Sequence, residues 1–173
     1  MTWGLVHVYC GEGKGKSTAA VGLAVRAVGA GLSVMFAQFL KNGRSSEIRM
    51  LEKLGVDVRL ASARAKFSFS MTDAEKEAAR DENTRFLQGL VPSLEGVDLL
   101  ILDEAVNACR LGLIDADVLH AFVEDKPETL ELVLTGRGPD DFLLGHADYI
   151  TNMECVRHPL AHDGIKARKG VEF

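Results

Sequence analysis

The sequence predicts an α/β fold, a doubly wound, mostly parallel sheet with helices on both faces. Three observations carry this expectation. Short runs of β-branched and aliphatic residues alternate with Ala-rich or charged stretches of helical length, the order that builds parallel sheets. Four of the runs are apolar at nearly every position, as strands are when both faces of their sheet are covered. A glycine-rich stretch, "YCGEGKGKSTAA" (9–20), falls at the junction between the first such run and the first helical stretch. That is the place where P-loop proteins hold phosphate. The expected class is therefore the P-loop NTPase (RecA-like) fold.

The elements follow in order. "LVHVY" (5–9) is the first strand, and "STAAVGLAVRAVGAG" (17–31) is an Ala-rich helix ending on glycine. "SVMFAQF" (33–39) is the second strong strand, and "SSEIRMLEKLG" (45–55) is a helix that also ends on glycine, a common stop signal. "VDVRL" (56–60) is a weaker strand candidate, and residues 61–70 form the one long internal loop, with Phe67 and Phe69 in "RAKFSFSM". "TDAEKEAARDENTRFLQGLV" (72–91) opens with Thr72 and Glu75 at capping-box spacing and is closed by Pro92. "VDLLILD" (97–103) and "TLELVLT" (129–135) complete the strong strands, with a helix at "DADVLHAFVEDK" (115–126) between them. "DYITNM" (148–153) is the second weak strand. There is no repeat, low-complexity tract or linker, and 173 residues favour a single domain spanning 1–173.

Composition narrows the class. Forty-seven per cent of residues are hydrophobic, which is globular. Twenty basic against 25 acidic residues give a formal charge of −5, which argues against a nucleic-acid partner. Cys10, Cys109 and Cys155 cannot all pair within one chain, and none has zinc-like spacing. The expectation is a reduced, cytoplasmic protein. "MTWGLVHVYC" lacks the pattern of a secretory signal, and no apolar run reaches the ~18 residues of a membrane span.

The glycine-rich stretch is one residue out of the usual G-x-x-x-x-G-K-[ST] pattern, because Cys10 stands where the first glycine belongs. Its context still favours phosphate. Successive backbone N–H groups and a helix N-terminus make an anion nest, and Gly11, Gly13 and Gly15 let the backbone close on a phosphate. Glu12 and Lys14 lie in the same loop, Lys16 adds a point charge, and a hydroxyl of Ser17 or Thr18 can reach Mg²⁺. The alternative is a plain glycine-rich turn. A second motif is the strand end "VDLLILDE", whose Asp103 and Glu104 are placed like the acids that hold Mg²⁺ in P-loop proteins; the alternative for Asp103 is a helix cap. A third is "TLELVLTGRGPDD", where Thr135, Gly136 and Arg137 follow a strand. Strand carboxyl ends line the ligand crevice of open α/β sheets.

Together these motifs resemble the P-loop corrinoid adenosyltransferases, that is, cob(I)alamin or cob(I)yrinic acid a,c-diamide adenosyltransferases. "GEGKGKSTA" is similar to that family's G-N-G-K-G-K-[ST]-T-A loop, so the absent early glycine matches a family trait. "AQFLKNG" resembles its Q-F-x-K-G segment, "LLILDE" its acidic strand end, and "VLTGRG" its T-G-R-G. "HPLAHDGIKARKGVEF" resembles its closing H-x(n)-G-x-K-A-x-x-G-[IV]-[ED]-[FY] signature. Two departures stand out: Glu12 replaces the usual Asn, and "KFSF" replaces G-F-T-W.

The resemblance implies transfer of the 5′-deoxyadenosyl group of ATP to Co(I) of a corrinoid, with ATP, Mg²⁺ and the corrinoid as ligands. Lys16 and Arg137 would stabilise the departing triphosphate, and Phe67 and Phe69 would exclude an axial ligand from cobalt; ordinary core packing is the other reading of the two rings. Gln38, Lys41 and His158 are further nucleotide-binding candidates. The resemblance also implies a homodimer and a flavoprotein electron donor. The rival readings are a kinase or ATPase acting at the γ-phosphate, and a nucleotide-binding regulator without chemistry.

Overall fold

A computed structural model describes residues 3–41, 45–61 and 71–172. Its strands are β1 (Val6–Cys10), β2 (Val34–Gln38), β3 (Asp57–Leu60), β4 (Leu99–Asp103), β5 (Glu131–Thr135) and β6 (Tyr149–Asn152). They form one sheet in the order β3-β2-β4-β5-β1-β6, and every neighbouring pair is parallel. The helices are α1 (Lys16–Gly29), α2 (Ile48–Lys53), α3 (Asp73–Leu90), α4 (Ala105–Arg110), α5 (Ala116–Glu124), α6 (Asp141–His146) and α7 (Pro159–Asp163). This is the expected doubly wound P-loop fold, with the P-loop strand β1 and the acidic strand β4 on either side of β5.

The continuous apolar runs now have their cause. Every residue of β2 and β4 is buried, because alternate side chains point into two separate cores. Phe36, Ile101 and Val133 meet Ala20, Ala24 and Ala27 of α1. Those alanines recur at helical spacing and, being small, let α1 lie close to the strands. Met35, Leu100, Leu102 and Leu134 face the other way, onto Leu87 of α3 and Leu119 of α5.

Both weak strand candidates form, as β3 and β6. The Thr72 capping box is present: Thr72 Oγ1 accepts from the Glu75 N–H at 3.3 Å, and the Glu75 carboxylate accepts from the Thr72 N–H at 2.9 Å. Helices α4, α6 and α7 are additions to the sequence-based reading. They have six, six and five residues, too few to show a 3.6-residue period. No helix among the described residues is long and apolar enough to cross a membrane. Phe67 and Phe69 lie outside the described residues.

Because all strands are parallel, their carboxyl ends share one edge. The glycine loop follows β1, Lys41 follows β2, Asp103 ends β4, residues 135–137 end β5, and residues 152–154 end β6. Every described candidate from the sequence except His158 lies at that edge, at the end of its own strand or in the segment that follows it.

Candidate active site

The loop after β1 is held by the chain leaving β6. The Gly13 N–H donates to the Met153 carbonyl at 2.6 Å, and the Met153 N–H donates to the Cys10 carbonyl at 2.8 Å. Gly11 and Gly15 have φ of +99° and +120°, a region that glycine enters freely. Gly13 is required for space: a Cβ there would stand 2.6 Å from the Glu154 carbonyl oxygen and 2.7 Å from that of Met153. Cys10, in place of the usual first glycine, is the last residue of β1, buried and in register with Asn152. Position 10 is strand rather than turn, so it needs no glycine.

Gly13→Ala should therefore be destabilising. Overpacking against backbone costs about 1–3 kcal/mol, a fall in thermal midpoint of roughly 2–12 °C for a chain of this size. Gly22→Ala is the matched control, because a Cβ on that helical glycine meets nothing within 4 Å; its midpoint should stay level or rise. Thermal melts of the two variants side by side check both expectations.

Lys16 is the first residue of α1 and is buried. Its ammonium donates to the carbonyls of Gly11 at 2.6 Å and Gly13 at 2.7 Å. Burial, and then the nearby charge of Arg137, hold it below the ordinary lysine value. Two cations thus crowd one anion nest, and a bound polyphosphate would relieve their repulsion. Arg137 itself is half exposed, with Nε 3.3 Å from Glu12 Oε2. Gly136 (φ +148°) lets this segment pass against α4, where a Cβ would lie 2.8 Å from Val106 Cβ.

Asp103 is fully buried and, among the described residues, has three side-chain partners. Oδ2 accepts from Gln38 Nε2 at 3.0 Å and from Lys41 Nζ at 2.9 Å, and Oδ1 accepts from the Thr135 hydroxyl at 2.8 Å. It does not cap α4; the residue at that position is Glu104. Gln38 lies fully buried beside Asp103 and orients it, and its Oε1 has no partner among the described residues. Lys41 also reaches the Ser17 hydroxyl at 3.3 Å. Burial opposes the Lys41 charge, but Asp103 outweighs it, so the ammonium titrates above its ordinary value. One cation touching Ser17 and Asp103 at once shows that these oxygens can share a cation. Such hard oxygen donors suit Mg²⁺. Thr18 is exposed one residue further along.

Glu104 adopts the left-handed conformation, φ 63°, which a non-glycine residue holds at a cost of about 1–2 kcal/mol. Its N–H donates to Thr135 Oγ1 at 2.9 Å and its carboxylate accepts from Asn107 Nδ2 at 3.1 Å. Burial, and then the Asp103 charge, raise its pKa. The folded chain therefore binds this proton more tightly than the unfolded chain does, and stability is lost as pH rises through the carboxylate range. Glu104→Gln should make the metal-free protein more stable at neutral pH, with the difference shrinking as pH falls. Urea unfolding in chelator at several pH values measures this; a pH-independent difference contradicts it.

Lys14 and His158 meet elsewhere. With Arg157, Lys166, Arg168 and Glu172 they line a cleft of about 710 Å³ formed by the C-terminal segment. His158 caps α7, Nδ1 accepting from the Leu160 N–H at 3.2 Å. The basic side chains make the cleft anion-friendly, and Lys14 joins it to the glycine loop. A wider cleft of about 1100 Å³, lined in part by Leu94, Val118 and Phe122, also includes Val97, Asp98 and Thr129. Those residues precede β4 and β5, so it lies at the opposite edge of the sheet.

Sequence reasoning missed Met153 and Asn107. Met153 pins the loop from 140 residues away, which no local pattern signals. Asn107 stands three residues after Glu104, a helical spacing that brings side chains together, but α4 itself was not foreseen.

A phosphate nest facing a buried acid across one edge of a parallel sheet defines a nucleotide-binding P-loop protein. Comparison with known proteins takes the assignment further. The chain belongs to the ATP:corrinoid adenosyltransferase BtuR/CobO/CobP family, whose model matches residues 2–173. It is 35% identical over 173 residues to a corrinoid adenosyltransferase of Sinorhizobium sp., covering 98% of this chain and 80% of that protein. To the corrinoid adenosyltransferase of Pseudomonas aeruginosa it is 32% identical over 171 residues, covering 98% and 84%. The Escherichia coli K12 corrinoid adenosyltransferase is 29% identical over 172 residues, with 98% and 86% covered.

Proposed function

We propose that the chain transfers the 5′-deoxyadenosyl group of ATP to the cobalt of a reduced Co(I) corrinoid, releasing triphosphate, in adenosylcobalamin formation or salvage. The observation that carries this reading is the family match over residues 2–173. The electrostatics agree with it, since Lys16 and Arg137 are gathered at one nest.

The Co(I) lone pair attacks C5′ of the ribose, the C5′–O5′ bond breaks, and its electron pair leaves on triphosphate. No side-chain base is needed, because Co(I) is already a strong nucleophile. Negative charge grows on the departing oxygen. Lys16, Arg137 and the N–H groups of the glycine loop other than that of Gly13, which Met153 already engages, stabilise it there, as preorganised donors do at other developing anions. Mg²⁺, held by Ser17, Asp103 and Glu104, would neutralise further phosphate charge when bound. Thr135 and Gln38 fix Asp103, and Lys41 links Asp103 to Ser17. Lys14 and His158 extend the site toward the C-terminal cleft.

Phe67 and Phe69 would fill the axial space below cobalt and keep water out. Phe67→Ala and Phe69→Ala should then slow the reaction mainly when Co(II) must be reduced on the protein, and far less when Co(I) is supplied. If the rings are core residues, truncation costs about 3–5 kcal/mol, and both rates fall together with the thermal midpoint.

The same reading extends to a single catalytic domain over residues 1–173 and a cytoplasmic location, which length and cysteine content favour, and to a homodimer and a reduced flavoprotein as electron donor, on family resemblance. An anaerobic assay with ATP, Mg²⁺ and chemically reduced corrinoid tests the function. The visible spectrum should change to that of a cobalt–carbon bonded corrinoid only when both substrates are present. ATP binding with no such change would favour a regulator.

A further inference from the structure

We propose that Cys109, His120 and Asp140 form a transition-metal site, separate from the Mg²⁺ position, that takes Zn²⁺ or a similar ion and fastens the segment after β5 to α4 and α5. The three residues come from different elements: Cys109 from α4, His120 from α5, and Asp140 from the position that caps α6. One ligand atom from each lies within 4.8 Å of the others. Bonds of about 2.0–2.3 Å at tetrahedral angles put ligand atoms roughly 3.4 Å apart, so a small contraction closes the site. Thiolate, imidazole and carboxylate are the donor set of Zn²⁺. A hard oxygen-seeking ion such as Mg²⁺ would not select it.

The surroundings are already arranged around these donors. Asp140 Oδ1 accepts from the Leu143 N–H at 2.9 Å, while Oδ2 meets His120 Nε2 at 2.8 Å. A cation would replace that second contact, with the pair opening slightly. The His120 ring stacks on Phe142 at a centroid distance of 4.1 Å and an interplanar angle of 16°, which restricts its orientation. Burial, then the Asp140 and Asp115 carboxylates, push the Cys109 thiol up to about 11. The locality thus disfavours an unpaired thiolate and favours a cation. The Asp140 side chain is 42% exposed, which leaves an entry path. The adenosyl-transfer chemistry uses none of the three residues. Asp140 lies three residues after Arg137, and Gly138 between them packs on Arg110, where a Cβ would stand 2.6 Å from Cδ. A metal at this point would steady the segment that carries Arg137.

The test is a Co²⁺ titration of the full, metal-stripped chain in excess Mg²⁺, read by optical absorption. Co²⁺ bound only by oxygen at the Ser17 and Asp103 position gives no thiolate charge-transfer band. The expected result is one Co²⁺ per chain with a thiolate band that Zn²⁺ abolishes by displacement. Cys109→Ser should lose the band, Cys155→Ser should keep it, and His120→Gln should bind more weakly by at least the roughly 10–100-fold that loss of an outer-shell partner alone costs. Zn²⁺ should raise the thermal midpoint of the wild type but not of Cys109→Ser. Absence of the band, its survival in Cys109→Ser, or its loss in Cys155→Ser would overturn the proposal.

Discussion

Lys16→Ala should reduce adenosyl transfer by about 10²–10³-fold, the usual loss when one preorganised donor is removed from a developing anion. Lys16 opens α1 and is buried against the glycine loop. Its ammonium already bonds two loop carbonyls, 2.6 and 2.7 Å away, so a triphosphate in the nest meets the charge at close range. ATP affinity should fall together with the rate, because the charge acts on bound and departing triphosphate alike. The lowered lysine pKa adds a second signature. A bound anion stabilises the protonated form, so ATP affinity in the wild type should decline as pH rises through the Lys16 pKa. In Lys16→Ala that decline should be absent. Equilibrium ATP binding and single-turnover rates across alkaline pH measure both effects, and wild-type values in the variant would remove Lys16 from the site.

Asp103→Asn should be the most destabilising change at the site, at about 3 kcal/mol. It leaves the Lys41 ammonium without its closest counter-charge, and breaking a buried pair costs about 3–5 kcal/mol. The lower end applies because the Lys41 side chain keeps 28% exposure. Glu47, 3.9 Å away, is a weaker substitute. The thermal midpoint should fall by roughly 6–12 °C, and the Mg²⁺ concentration needed for turnover should rise. The double variant Asp103→Asn/Lys41→Met should recover most of the stability and none of the activity. A midpoint unchanged in Asp103→Asn would mean that the acid is effectively solvated. The partners Gln38 and Thr135, both fully buried, and the half-buried Lys41 set the size of this effect.

The strands and long helices were legible because their signals are local. Runs such as "VDLLILD" read as doubly covered strands, and Thr72 with Glu75 announces the start of α3. The P-loop was legible despite Cys10 because the strand–loop–helix context fixes its role. What escaped was built by distant contacts. Nothing near Gly13 signals that Met153 will hold it, and nothing near Cys109 signals that His120 and Asp140 will join it. The left-handed backbone of Glu104 was equally hidden, since the Thr135 hydroxyl that accepts from its N–H lies on the adjacent strand. Gln38 could be picked from its segment, but its burial beside Asp103 could not.

Adenosyl transfer requires this P-loop to serve attack at the ribose carbon and not at the γ-phosphorus. Phosphorus NMR of the products of one anaerobic turnover, with ATP, Mg²⁺ and Co(I) corrinoid, tests it most directly. Inorganic triphosphate is expected in amounts equal to the adenosylated corrinoid formed. ADP with phosphate, or with a phosphorylated acceptor, would contradict it.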